Sequence, residues 1–207
     1  NLVFMQYQRF ADGTQQDLPR PSVDTGMGLE RIACIKQGHV NNYDGDLLFD
    51  LVQEGGRLAG VDPRADLETL TALRVMADHA RSCAFLVADG IIPGNEGRGY
   101  VLRRIARRAI RFGVKLGLGH EPFFNDLTDL VVRRFAGAFP ELAERQTFIR
   151  EVMRGEEERF AETRDRGLAL LDKELGKLGE GQALDGEVVF KLHDTYGFPS
   201  DLTALIA

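Results

Sequence analysis

Residues 93–115 read PGNEGRGYVLRRIARRAIRFGVK, and seven of them are cations: Arg98, Arg103, Arg104, Arg107, Arg108, Arg111 and Lys115, against the single acid Glu96. The chain as a whole has 26 basic and 32 acidic residues and a formal charge of −6. Without those seven cations, the 26 basic residues fall to 19 against the same 32 acids. One short segment is therefore strongly positive within an acidic protein. At about 100° per residue, Arg103, Arg107, Arg111, Arg104, Lys115 and Arg108 fall within a sector of about 140°. Val101, Leu102, Ile105, Ala106, Ala109, Phe112 and Leu116 take the opposite side. The pattern predicts an amphipathic helix with an apolar underside and an arginine face.

Like charges stacked at i and i+4 repel and destabilise a helix by a few tenths of a kcal/mol per pair. A polyanionic partner offsets that repulsion through Coulomb attraction and counterion release. The alternative is pairing with internal carboxylates, for which the acids of residues 154–166 are the natural source. Gly94-Asn95-Glu96-Gly97 feeds the helix, and Asn95 or Gly97 is expected to open it. The Asn95 amide carries a donor and an acceptor, which suits a base edge, but equally a turn or an N-cap.

Outward from this helix, 207 residues suffice for one domain or two smaller ones. Hydrophobic and charged contents of 43% and 28% are those of an ordinary globular protein. No apolar run approaches the length of a membrane span, and the first residues do not follow the pattern of a signal segment. Cys34 and Cys83 lack the spacing of a zinc site and point weakly to a reducing compartment. The chain starts without a methionine, in an apolar run, and stops inside a predicted helix, so it is expected to be a piece of a longer protein.

In chain order, residues 1–8 read as a strand, Ala11–Thr14 as an Asp-Gly turn, and residues 16–23 as a second strand. Pro19 and Pro21 confine that strand to an edge or a loose pairing. A glycine corner, Asp24-Thr25-Gly26-Met27-Gly28, leads into a helix over 29–37. Helices are predicted over about 46–58, over 66–88 with Leu67, Leu70, Leu73, Ala77, Ala80 and Ala84 turned inward, and over 122–138. A long helix or helical pair covers 140–178, and its RGEEERFAETRDR middle is charged enough to face water in part. Gly179 to Gly181 is expected to end it, and a short helix over 185–192 follows, ended by Gly197 and Pro199. Ser200 or Asp201 would cap a last helix. The fold class is mainly α: a helical domain preceded by a short β-hairpin.

The corner has chemistry of its own. Gly26 and Gly28 let backbone approach a ligand where a Cβ would clash. Arg31, in the first turn of the next helix, suits a phosphate. Asp24, at a strand end, could receive an ammonium. The plainer role is a tight strand-to-helix turn with a surface arginine.

The run Val23-Asp24-Thr25-Gly26-Met27-Gly28-Leu29-Glu30-Arg31 resembles motif 3 of class II aminoacyl-tRNA synthetases, an alternation of small or apolar residues with glycines that ends in Glu-Arg. NLVFMQY at 1–7, PGNEGRGYVLRRIARRA at 93–109 and KLHDTYGFPSDLT at 191–203 resemble, in that order, the alanyl-tRNA synthetase family. The resemblance covers the whole chain. It implies that residues 1–45 are the C-terminal part of a class II aminoacylation domain, a remnant of its antiparallel sheet with the motif 3 helix, and that 46–207 form a helical tRNA-recognition domain. It implies an alanine–tRNA ligase, cytoplasmic, using ATP with Mg2+, alanine and the acceptor stem of tRNA(Ala), with no DNA or membrane partner. Arg31 would bind the γ-phosphate of ATP, Gly26 and Gly28 would admit the adenylate, and Asp24 would hold the alanine ammonium. Asn95 and Asp194 would read the G·U wobble pair. Arg98, Arg103, Arg104, Arg107 and Arg111 would hold the flanking phosphates. His193 departs from the tyrosine usual in the family. Motifs 1 and 2 would precede Asn1 and a zinc-containing editing domain would follow Ala207, so these 207 residues alone are expected to be inactive.

The alternative reading is a non-enzymatic helical RNA-binding module; a helix-turn-helix DNA binder is a poorer fit, because DNA recognition helices rarely carry seven cations with so few base-reading side chains.

Overall fold

The computed structural model describes residues 2–179, 182–194, 203, 204 and 207, with Asp194 described by its backbone only. The chain divides into two compact units, 1–50 and 51–207.

In the first unit, β1 (Leu2–Arg9) and β2 (Gln15–Thr25) form an antiparallel hairpin. Residues 10–14 connect them, and Phe10 N donates to Thr14 O at 2.9 Å, leaving Ala11, Asp12 and Gly13 as the loop. Gly13 N donates to Phe10 O at 3.0 Å, Gly13 has φ +86°, and the Asp12 carboxylate accepts from the backbone and hydroxyl of Thr14. Only glycine adopts that left-handed φ without strain, so the Asp-Gly pair makes a bulged three-residue loop rather than a two-residue one. The ladder pairs Met5 with Ser22 and Tyr7 with Asp17, with an irregularity between Met5 and Tyr7. Pro19 and Pro21 fall in the looped-out part of β2, where no ladder N–H is required of them. Phe4, Tyr7 and Val23 are exposed. Gly28 is the N-cap of α1 (Leu29–Lys36), and Cys34 is that helix's buried residue. A 3-10 turn at Asn42–Asp44 packs on α1.

Helices dominate the rest: α2 (Phe49–Ala59), α3 (Leu67–Ala88), α4 (Gly97–Lys115), α5 (Phe124–Phe135), α6 (Pro140–Glu144), α7 (Gln146–Leu175) and α8 (Gly186–Asp194). The mainly α expectation with a leading hairpin holds. The Asp66 side chain accepts from Thr69 N at 2.7 Å and caps α3, and Gly90, at φ +86°, ends it as a residue free of Cβ strain. The core of this unit joins Leu73, Met76 and Ala80 of α3, Leu102 and Ala106 of α4, Leu127 and Val131 of α5, and Ile149, Met153 and Phe160 of α7. Alanines at 77, 80, 84, 106 and 109 are fully buried, so α3 and α4 can approach closely. Leu73, Ala77, Ala80 and Ala84 point inward as expected, together with Ala72, Met76, Cys83 and Val87, whereas Leu67 is 76% exposed and Leu70 only partly buried.

Two helix boundaries differ from expectation. The predicted 46–58 helix begins at Phe49, preceded by turn structure at 45–48. The 140–178 stretch is a helical pair, and α7 ends at Leu175 with Gly176 as its C-cap, before Gly179. As expected, its charged middle faces water in part: Arg154, Glu158 and Arg159 are exposed, whereas Glu156 and Glu157 are buried. The stop at Gly197 and Pro199 and the cap at Ser200 or Asp201 lie outside the described residues.

Candidate functional site

The start of α4 is shaped by glycine. A Cβ on Gly99 would stand 2.6 Å from Ile92 O and 3.0 Å from Gly94 N, so loop and helix touch backbone to backbone. Gly94 N donates to Gly99 O at 3.0 Å, which closes the loop, and Gly97 turns the chain with φ +54°. The N-cap is Glu96, whose side chain makes no capping bond. The helix opens at Gly97, one of the two residues the sequence suggests, with Glu96 rather than Asn95 as its N-cap. Asn95 stands exposed on the loop, and its Oδ1 accepts from Arg103 Nη1. Arg103 Nη2 also donates weakly to Pro93 O at 3.4 Å.

The buried side of α4 is Leu102, Ala106, Ala109, Ile110 and Gly113, rotated from the predicted underside. Val101 is 53% exposed, and Ile105 and Phe112 are only partly buried. The Phe123 ring explains part of this: a Cβ on Gly113 would lie 2.2 Å from its Cζ, so the ring packs on bare helix backbone there. The rotation carries Arg103 and Arg107 to the edge of the interface with α7. Glu156, fully buried, meets both: Oε1 is 2.7 Å from Arg107 Nε and 3.2 Å from Arg103 Nε, and Oε2 is 3.2 Å from Arg159 Nη2. The internal-carboxylate alternative is thus realised for two of the arginines, and Lys115 pairs with Glu68 of α3.

Arg98, Arg104 and Arg108 remain solvent-exposed. Arg104 lies over the Tyr100 ring at 5.7 Å, and Arg108 and Arg111 lie near the Phe112 ring at 6.0 and 5.3 Å. Guanidinium–aromatic contacts of this kind use the flat face of the guanidinium and orient the side chain. Glu156 is the functional-site residue that sequence reasoning missed individually. The signal was its spacing: 149, 153, 156 and 160 form one inward stripe of α7, in which an acid occupies a core position.

Its neighbour Glu157 accepts from Phe123 N at 3.0 Å and Phe124 N at 3.1 Å, satisfying the start of α5. Burial pushes its carboxyl above the ordinary glutamate value, and the two N–H groups oppose that shift without cancelling it.

In the first unit, Asp24 pairs with Val3 in the hairpin ladder and is exposed. Nothing stands within 4 Å of a Cβ built on Gly26, and one on Gly28 would meet only Glu30 and Arg31 side-chain atoms at 3.7–3.9 Å. Arg31 is exposed in the first turn of α1, its N–H donating to Gly28 O at 3.1 Å. These residues leave an open corner at a helix start with no side-chain cap, compatible with a polyphosphate end. Among the described residues, no group of three His, Cys, Asp or Glu side chains is placed to hold a metal ion.

Among the described residues, α8 packs on the C-terminal half of α7 through Leu171 and Leu192. Asp194 is its last residue. The Asp194 side chain, and with it the expected proximity to Asn95, lies outside what is described, as do residues 195–202 of the KLHDTYGFPSDLT motif. No described helix is long and apolar enough to cross a membrane.

The family model described as tRNA synthetases class II (A) matches residues 1–207, and the chain belongs to that family. Among curated relatives, the alanine–tRNA ligases of Psychromonas ingrahamii and Methylococcus capsulatus are 55% and 54% identical over the full 207 residues. That of Shewanella loihica is 55% identical over 204 residues, 99% of this chain. The chain spans 23% of the length of each of these relatives.

Proposed function

We propose that this chain is the segment of an alanine–tRNA ligase that holds part of the ATP and alanine site and recognises the acceptor stem of tRNA(Ala). The ligase activates alanine with ATP and transfers it to the tRNA, in the cytoplasm. In this reading the first unit is the C-terminal part of the aminoacylation domain, and the exposed apolar side chains of its hairpin suit a larger sheet. Arg31 meets the γ-phosphate, Gly26 and Gly28 admit the nucleotide, and Asp24 receives the alanine ammonium. Mg2+ would accompany the phosphates of ATP.

The helical unit is the tRNA-recognition part. The observation that carries the reading is Asn95, held exposed at the mouth of a basic helix whose outer arginines, Arg98, Arg104 and Arg108, face solvent. A G·U pair displaces its bases and leaves the guanine N2 amino group in the shallow RNA minor groove, where an amide or carboxylate oxygen can accept from it. Asn95 and Asp194 would share that pair, and the outer arginines would hold the neighbouring phosphates. Arg103 and Arg107 would act from behind them, since Glu156 engages both.

The test is aminoacylation by the full-length protein of acceptor-stem hairpins that differ only in one G·U or G·C pair. Asn95→Ala and Asp194→Ala should each shrink the G·U preference about tenfold to a hundredfold. An enzyme that activates another amino acid, or that charges both hairpins equally, would refute the assignment.

A further inference from the structure

We infer that Glu156 is a positioning residue for base-pair recognition: by anchoring Arg103 it fixes which edge of the Asn95 amide faces the RNA. The inference rests on Asn95 being a base-reading residue, as proposed above.

A guanidinium has donors and no acceptor, so the Asn95 atom facing Arg103 Nη1 must be the amide oxygen. An amide oxygen has two lone pairs. With one engaged by Arg103, a single lone pair and the NH2 group remain for the RNA, in a fixed orientation. An exposed asparagine without that constraint would sample both amide orientations and several rotamers, and would discriminate less between donors and acceptors on a base edge.

Arg103 cannot supply the constraint alone. Its hold on the loop is the bond to Asn95 and the weak contact to Pro93 O. From the other side Glu156 holds its guanidinium by charge: Oε1 lies 3.2 Å from Nε, an ion pair without hydrogen-bond geometry at that buried atom. That carboxylate is itself immobile: it is fully buried and meets Arg107 and Arg159 as well. A carboxylate with no solvent access that faces three guanidiniums is an expensive core feature, since apolar packing in its place is often as stable. The geometry gives it a use, because it links a rigid core helix to the one exposed amide on the loop.

The experiment measures the aminoacylation preference for a G·U over a G·C hairpin in the full-length protein, for wild type, Asn95→Ala, Glu156→Gln and the double variant. Glu156→Gln should lower the preference roughly threefold to tenfold, and should lower it no further in the Asn95→Ala background. A purely structural role would weaken both hairpins alike and leave their ratio unchanged, and that result overturns the inference. An additive effect of the two substitutions overturns it as well. If Asn95→Ala itself leaves the preference intact, the reading of Asn95 fails first. If it reduces the preference while Glu156→Gln does not, the relay alone fails. Arg103→Gln, at a partly exposed position, repeats the test where Glu156→Gln does not fold, with the same expected loss of ratio and the same refuting result.

Discussion

Glu156 Oε1 lies 2.7 Å from Arg107 Nε across 49 positions of sequence, with the carboxylate wholly out of solvent. Long-range pairing of this kind joins α4 to α7, and its loss is expected to be costly. Glu156→Ala would leave Arg107 and Arg103, only 13% and 21% exposed, without their anion. Breaking a buried pair costs about 3–5 kcal/mol, and partial solvent access of the arginines places this case near the lower end. Urea denaturation of the purified chain measures it. A loss under about 1 kcal/mol would mean that the pair contributes as a surface pair does.

Glycine substitutions should separate tight from open positions. Gly113→Ala sets a methyl against the Phe123 ring and should destabilise by about 1–3 kcal/mol. Gly137→Ala meets nothing within 4 Å and should stay within about 0.5 kcal/mol of wild type. Equal effects in thermal or urea melts would contradict the observed packing.

The raised carboxyl of Glu157 has a pH signature. Below the ordinary value of 4.5 it is protonated both folded and unfolded, and its contribution to stability is fully present. As pH rises through the higher folded value, the native state gives up a proton that it holds more tightly than the unfolded chain, and that contribution is lost. Glu157→Gln removes the titration. Wild type should therefore lose stability relative to the variant as pH rises above the ordinary glutamate value of 4.5, read from urea midpoints. Parallel pH profiles would mean that the two N–H groups at the start of α5 cancel the effect of burial, and a gain with rising pH that they outweigh it.

Salt dependence should sort the arginines. If the outer face binds RNA phosphates, Arg104→Ala or Arg108→Ala should flatten the slope of log affinity against log salt by about 0.7–0.9 each. Arg107→Ala should change that slope less, because its guanidinium is already committed to Glu156. Filter binding of the acceptor-stem hairpin over a salt series distinguishes them, and identical slopes for all three variants would contradict the sorting.

Arg31→Ala in the full-length protein should cut alanine-dependent ATP–pyrophosphate exchange by about a hundredfold or more, the scale of losing one contact to developing charge. Binding of the acceptor-stem hairpin should stay within about twofold, the range of an exposed substitution outside the interface. A large loss of RNA binding with exchange intact would reverse the roles given to the two units.

Local chemistry was enough to read much of this protein. Asp66 announces the start of α3 and Asp89-Gly90 its end, because a short side-chain oxygen and a left-handed glycine act within one turn of chain. The hairpin turn at Asp12-Gly13, the prolines in the loosened part of β2 and the basic face of α4 are local in the same sense. Tertiary structure decided what depends on distant neighbours. A helical wheel ranks residues by their own polarity, whereas the buried face of α4 is the one that α3, α7 and the Phe123 ring cover. That is why Ile110 and Gly113 went in while Val101 stayed out. The division of the arginines into an outer set and a pair held by Glu156 depends on an acid some fifty positions away, placed in the core by the packing of α7. Sequence alone could say that internal acids were available; only the fold selected the one that reaches Arg103, because electrostatic pairing depends on distance and burial rather than on composition.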